Sequence, residues 1–306
     1  MASVALLFPG QGSQQPGMGT ELLEDPELSS LCDHCASAAD IDLRRLLTSA
    51  DDDELRLTQN AQPALTFVGI ALTMLLRRRG VEPAAAAGHS VGEYAALAAS
   101  GAVGAPQVIK AVVERGKAMA EAAPAGTSSM AAVLGLDPQT VEGALASVSE
   151  VWPANYNTPT QTVIAGTKAG LQDATERLQA AGAKRIIPLN VSAAFHTPLM
   201  APAAERLRAA LDRIEWRSPR ITVMANLTGR PHQGGDRIAH VMEMQLRSPV
   251  RWAACVQALA DAGCDTFVEV GPKRALTGMM KELAPGRKAV AVATPAAVSE
   301  FSGLLQ

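Results

Sequence analysis

The chain has no apolar run long enough to cross a bilayer, and its opening stretch, MASVALLF, is cut off by Pro9-Gly10. A spanning helix needs about 20 mostly apolar residues, so no membrane is expected and a cytoplasmic protein is. Cysteine is scarce. The four present, Cys32, Cys35, Cys255 and Cys264, are too few and too scattered for a disulfide framework. Cys32-Asp-His-Cys35 has the spacing of half a zinc site, but no second close Cys or His pair follows at finger-like spacing. Two helical cysteines one turn apart is the simpler reading. No charge of one sign dominates either: 27 Lys and Arg against 30 Asp and Glu leave −3, without blocks. That gives no electrostatic reason to expect nucleic acid. The glycine loop PGQGSQQPGMG lacks the Gly-Lys-Ser/Thr ending of a P-loop and does not fit G-x-G-x-x-G, so nucleotide binding is not expected.

What is present suits a packed protein acting on a small molecule or another protein. Hydrophobic residues make up 48% of the 306 and charged residues 19%, and the length suggests two domains or one core with an insertion. SVALLF (3–8) reads as a buried strand ending in that glycine loop; 21–37 and 61–79 read as helices, with Arg77, Arg78 and Arg79 as cations at a helix end before Gly80. From 127 to 190 the texture changes to four short strands with helices at 138–148 and 168–181, the order βαββαβ of a split ferredoxin-like unit. A helix at 199–214 and strands at RITVMAN, TFVEVG and KAVAVAT follow. Strands alternating with helices predict a mainly parallel sheet. The expected organisation is a large α/β domain, 1–126 and 191–306, interrupted by a small one, 127–190.

Residues 88–92, GHSVG, match the nucleophile elbow G-x-S-x-G, with the small-residue run AAAAGH before it and the helix former EYAALAASGA behind. Ser90 is the candidate nucleophile. A serine hydroxyl needs a base, and histidine suits neutral pH. His89 is adjacent, but a sharp turn points neighbouring side chains apart; a structural role beside the loop fits it better. His34 sits in a polar helix, His232 in the loop RPHQGGD and His240 on a helix that could be exposed. His196, in SAAFHTPLM, lies where the chain returns from the insertion to the core, a good place to enter a crevice. No acidic residue declares itself as a third member. Backbone N–H groups of Gln11, in the glycine loop, and Val91, after the serine, are the expected oxyanion donors.

Arg115 stands out within APQVIKAVVERGKAMAEAA. Glu114, Lys117 and Glu121 lie within about 40° of Lys110 on one helix face, whereas Arg115 lies about 140° from Lys110, beside Val108, Val112 and Met119. Three readings stay open: snorkelling, a structural partner such as Glu93, or a bidentate clamp for a substrate carboxylate.

Taken together, FPGQGSQ, TQNAQPAL, GHSVGEYAAL, ERGKAM, NYNTPTQTVIAG, AAFHTPLM, QLRSPVRW and EVGP resemble the malonyl-CoA:acyl carrier protein transacylase family, from near the first residue to about residue 290. The resemblance implies an α/β-hydrolase-like core with an inserted ferredoxin-like subdomain. It implies Ser90 as the acylated residue, His196 as its base, Arg115 on the malonyl carboxylate, and Gln11 with Val91 at the oxyanion. It also implies that the backbone carbonyl of Gln245 steadies His196 in place of an acid, and that Phe195 and Ala194 favour malonyl over branched acyl groups. Lys273, where many relatives have glycine after EVGP, is a departure outside that set. The implied partners are malonyl-CoA and a phosphopantetheine-bearing acyl carrier protein, with no cofactor, in a monomer serving fatty acid or polyketide synthesis. An acyl hydrolase on the same fold, a transferase of another acyl group and a non-catalytic scaffold for carrier proteins are the competing expectations.

Overall fold

Strand β1, Val4–Phe8, is buried along its whole length, and its side chains alternate between two hydrophobic clusters. Leu6 and Phe8 face one, Ala5 and Leu7 the other, the period-two pattern of a strand covered on both sides. In the computed structural model, which describes residues 3–122, 126–191 and 193–304, β1 lies near the middle of a six-stranded sheet. The others are β2 (Ala85–Gly88), β7 (Thr222–Ala225), β8 (Arg230–Pro231), β9 (Thr266–Val270) and β10 (Lys288–Val292), in the order β10-β9-β1-β2-β7-β8. All pairings are parallel except that of the two-residue edge strand β8.

A second sheet is antiparallel, with β3 (Ser128–Leu134), β4 (Val151–Thr158), β5 (Gln161–Thr167) and β6 (Arg185–Pro188) in the order β4-β5-β3-β6. Helices Pro138–Leu145 and Lys168–Ala180 cover one of its faces through Val141, Leu145, Ala174 and Leu178. Alternate residues of the strands turn the other way: Ala131 and Ile164 meet those helices, while Met130 and Val163 join the main core. This sheet falls within the segment expected at 127–190. Residues 123–125 and 192, close to the two expected crossings, lie outside the described residues, as do the terminal residues of the expected large domain. The edge strand β4 is tied to the main body by reciprocal bonds, Tyr156 N to Val250 O (2.9 Å) and Val250 N to Ala154 O (2.8 Å).

Several expectations on helices need correcting. The segment at 21–37 is a 3₁₀ turn, Glu21–Glu24, followed by a helix that starts at Pro26, because Asp25 caps it by accepting from the N–H groups of Glu27 and Leu28. The helix expected at 61–79 runs Thr58–Arg78, and two short helices, Leu43–Thr48 and Asp52–Arg56, are too brief for periodicity to reveal. Arg77 donates to the Ala99 carbonyl at the end of another helix (2.6 Å), and Arg78 pairs with Asp25 (2.6 Å) and Glu27. Cys32 and Cys35 are buried on one helix, their thiols pushed by burial up to about 11 and about 12. No helix of the described residues is long and apolar enough to cross a membrane.

One helix contact decides where Arg115 goes. Helix Ala105–Ala122 crosses Thr58–Arg78 so closely at Gly116 that a Cβ there would lie 2.6 Å from the Gln59 Cα. Replacing a helical glycine by alanine ordinarily stabilises by about 1 kcal/mol. Gly116→Ala is expected to lose about 1–3 kcal/mol to overpacking, whereas Gly143→Ala, in a helix with nothing within 4 Å of the added carbon, should gain about 0.5–1 kcal/mol. Urea unfolding of the two variants beside the parent checks the opposite signs.

Candidate active site

Between β2 and the helix Gly92–Ala99 the chain turns so sharply that Ser90 adopts φ +55°, in the left-handed region. The flanking residues can only be glycine: a Cβ at Gly88 would sit 1.9 Å from the Gly92 carbonyl carbon, and one at Gly92 would sit 2.2 Å from the Phe8 oxygen. Both ends of the serine are held by side chains. Its N–H donates to Asn226 Oδ1 (2.7 Å), and its carbonyl accepts from Gln245 Nε2 (2.9 Å).

His196, also left-handed at φ +60°, comes from the segment that follows the small sheet. Its Nε2 lies 2.7 Å from Ser90 Oγ, and its Nδ1 lies 2.9 Å from the Gln245 carbonyl oxygen. A carbonyl only accepts, so the Nδ1 carries the proton and Nε2 is left as acceptor for the serine hydroxyl. Burial, and then the positive Arg115 nearby, push the His196 pKa down to about 3. The neighbour His89 is engaged elsewhere: its Nε2 bonds Asn157 Oδ1 (2.9 Å), its ring packs on Trp252, and burial lowers its pKa. His34 is exposed, and so is His240, 3.6 Å from Glu243. His232, expected simply in a loop, instead has its side chain buried 2.7 Å from Glu93.

Arg115 is fully buried, which removes snorkelling from its three possible readings. Direct pairing with Glu93 also falls, because the Glu93 carboxylate accepts from His232 Nε2, Asn226 N (3.0 Å) and Gln245 Nε2 (2.9 Å). The guanidinium meets only neutral groups: Nη1 donates to Gln62 Oε1 (2.7 Å), and Nη2 to Ser90 Oγ (3.1 Å) and Gln245 Oε1 (3.2 Å). Its plane stands over the Tyr94 ring, and Nε has no partner among the described residues. Burial lowers its pKa. A buried cation without a counter-ion is costly, and the space where one could sit adjoins it.

That space is a cavity of about 210 Å³ between the two sheets' layers, bounded by Ser90, His196, Arg115, Gln11, Val91 and Phe195. The backbone N–H groups of Gln11 and Val91 have no acceptor among the described residues. Gln245 sits behind the cavity and touches Ser90, His196 and Arg115 at once. Ala194 does not line it: its N–H donates to Ser128 Oγ and its carbonyl accepts from Thr197 Oγ1, so Phe195 alone of the expected specificity pair reaches the cavity wall. Sequence reasoning missed Asn226, Gln62, Asn157, the pairing of His232 with Glu93 and the side-chain contacts of Gln245. Gln62 and Asn157 stand inside recognisable motifs, but Asn226, at the end of β7, has no local signal.

Residues 5–299 match the acyl transferase domain family. The chain is 40% identical to a malonyl CoA-acyl carrier protein transacylase of Bacillus subtilis over 300 residues, 96% of this chain and 95% of that one. Among solved structures it is similar to the malonyl CoA-acyl carrier protein transacylase of Coxiella burnetii (34% identity, TM-score 0.94, covering 99% of this chain and 97% of that one). It is equally similar to a malonyl-transacylase solved in complex with its type II PKS acyl-carrier protein (36%, TM-score 0.94, 99% and 100%).

A base must be unprotonated to accept a proton, and His196 stays neutral far below the ordinary histidine range. If Ser90 reacts with His196 as its base, the second-order rate of that reaction stays flat as pH falls from 8 to 5; a limb at about 6.5, the unperturbed value, would contradict it. Stability should behave differently. Between about 3 and the unfolded value near 6.5, the unfolded chain binds a proton that the folded chain refuses, so stability falls as pH drops through that window.

Proposed function

The chain belongs to the acyl transferase domain family and, within it, to the malonyl-CoA:acyl carrier protein transacylases, and on that premise we propose a ping-pong transfer through a malonyl group on Ser90. The observation that carries it is the buried Arg115, with no carboxylate partner and with Nη2 3.1 Å from the nucleophile oxygen. A malonyl thioester has its carboxylate one methylene away from the carbonyl under attack, so the group that holds the carboxylate must stand beside the nucleophile. A guanidinium suits that carboxylate by charge and by its planar donor fork.

In the first half-reaction Ser90 Oγ bonds to the thioester carbon while its proton passes to His196 Nε2. The N–H groups of Gln11 and Val91 receive the oxyanion. The C–S bond then breaks, and His196 returns the proton to the CoA thiolate. In the second half the phosphopantetheine thiol of an acyl carrier protein gives its proton to His196, its sulfur attacks the serine ester, and Ser90 recovers the proton. Arg115 lowers the proton affinity of His196 in the empty site. A malonyl carboxylate neutralises that field, so the base strengthens when the right substrate is in place. Uncharged acyl groups leave it weak, and Phe195 bounds the space for branched ones.

The strand orders and the antiparallel second sheet support an α/β-hydrolase-like core, 1–126 and 191–306, carrying a ferredoxin-like subdomain at 127–190. We take the protein to act as a cytoplasmic monomer without a cofactor, its two substrates being a CoA thioester and a carrier-protein thiol. Arg115 argues against a simple acyl hydrolase, which has no carboxylate to hold, and the Ser90–His196 hydrogen bond argues against an inert scaffold.

Intact-mass measurement after mixing with malonyl-CoA should show one malonyl adduct on the parent and none on Ser90→Ala. Malonyl-carrier protein should exceed free malonate as product; malonate alone would mark a hydrolase. Arg115→Ala is expected to lower kcat/KM for malonyl-CoA by about 100-fold, the scale of a lost charged hydrogen bond, while raising the acetyl-to-malonyl ratio. Unchanged malonyl kinetics would make the arginine structural.

A further inference from the structure

Behind Ser90, on the side away from the cavity, lies a buried His–carboxylate pair that the transfer chemistry does not use. Glu93, in the first turn of the elbow helix, is 0% exposed, and the His232 side chain beside it is 1% exposed. His232 arrives from the sheet edge immediately after β8, pinned by its own N–H to the Val223 carbonyl (2.8 Å). The Glu93 Oε1 lies 2.7 Å from His232 Nε2, and its Oε2 accepts from Asn226 N and Gln245 Nε2.

Those two partners are the residues that grip Ser90. Asn226 accepts from the Ser90 N–H and donates to the Gly88 carbonyl (2.7 Å); Gln245 donates to the Ser90 carbonyl. Gln245 also presents its backbone carbonyl to His196 and its side-chain oxygen to Arg115. One carboxylate thus orients the two groups that hold a left-handed serine at both ends, and one of those groups sets the tautomer of the base.

We propose that Glu93, locked by His232, is a positioning residue for this site: it fixes Asn226 and Gln245 so that Ser90 Oγ and His196 Nε2 stay aligned. The inference rests on the reading of Ser90 as the nucleophile. It differs from a purely structural ion pair in what it should move. Glu93 touches no part of the cavity, so its loss should fall on the acylation rate and on kcat, with KM for malonyl-CoA unchanged.

A fluorophosphonate probe separates the two readings, because its reaction needs no carboxylate and no thioester. Ser90 Oγ bonds to phosphorus, fluoride leaves, and the serine proton goes to His196. A parent that fails to react overturns the nucleophile reading and this inference with it. Glu93→Gln can still accept from Asn226 and Gln245 while giving its amide hydrogen to a neutral His232, so it should fold and label about tenfold more slowly than the parent. Glu93→Ala should label about 100-fold more slowly, and His232→Gln should slow in the same direction. The double variant Glu93→Gln/His232→Gln should be no slower than the slower single one, since both act through one anchor. Circular dichroism and thermal melts establish that each is folded. Folded Glu93→Gln labelling within twofold of the parent overturns the inference, as does a lowered melting temperature with unchanged labelling, a loss confined to KM, or multiplicative losses in the double variant.

Discussion

The site is organised around a full positive charge placed inside the protein with no carboxylate in direct contact among the described residues, the field of Glu93 reaching it from behind Gln245. Arg115 is fully buried, and its hydrogen-bond partners are two glutamine side chains and the serine oxygen. An uncompensated buried charge costs several kcal/mol, so the surroundings must hold it tightly or it would find water. They do so through backbone as well as side chains. The contact at Gly116 brings the two long helices close enough for Gln62 to reach the guanidinium. Tyr94 supplies a ring face from the elbow helix.

The same scaffold holds two strained residues. Ser90 and His196 are both left-handed, and only two other non-glycine residues, Asp40 and Glu150, are so among those described. Each such conformation costs roughly 1–2 kcal/mol for an L-residue, and it persists where neighbours over-determine it. Here they do: Asn226 and Gln245 bond both ends of Ser90, and the Gln245 carbonyl bonds the ring of His196. Among the described residues no carboxylate touches His196, so an imidazolium there has less support than a Ser-His-Asp arrangement would give it. The buried carboxylate of this site, Glu93, instead accepts from Gln245 Nε2, behind the residue whose carbonyl meets the ring.

The large outline was legible because its signals are local. The alternation of Val4–Phe8, the βαββαβ order between 128 and 188, and the glycine–serine–glycine turn each occupy a short window. Arg115 was visible as a charge on the wrong face of its helix, although spacing could not choose among its three partners. What stayed hidden depends on distant chain meeting in space. Asn226 reaches Ser90 across 136 positions, and Gln245 reaches it across 155. His232 looked like a loop residue because the two residues before it form a strand only by pairing with β7. The side chain of Ala194 pointed wrong for a similar reason: whether 194 or 195 faces the cavity is set by the bond from its N–H to Ser128, 66 residues earlier.

In the transfer proposed above, selectivity and rate have a common origin. Arg115 and His196 share one oxygen, at 3.1 Å and 2.7 Å from the Ser90 hydroxyl, so whatever neutralises the arginine acts on the base as well. In an empty site burial first, and then the guanidinium, favour the neutral imidazole. The guanidinium also makes the imidazolium of the transition state expensive. A carboxylate bound beside Arg115 removes that penalty at short range and in a low-dielectric setting, where Coulomb terms are large. An acyl group without the carboxylate can still enter, but it meets a base that has been weakened. Discrimination built this way appears in the chemical step more than in binding, and it requires the arginine to have no carboxylate of its own.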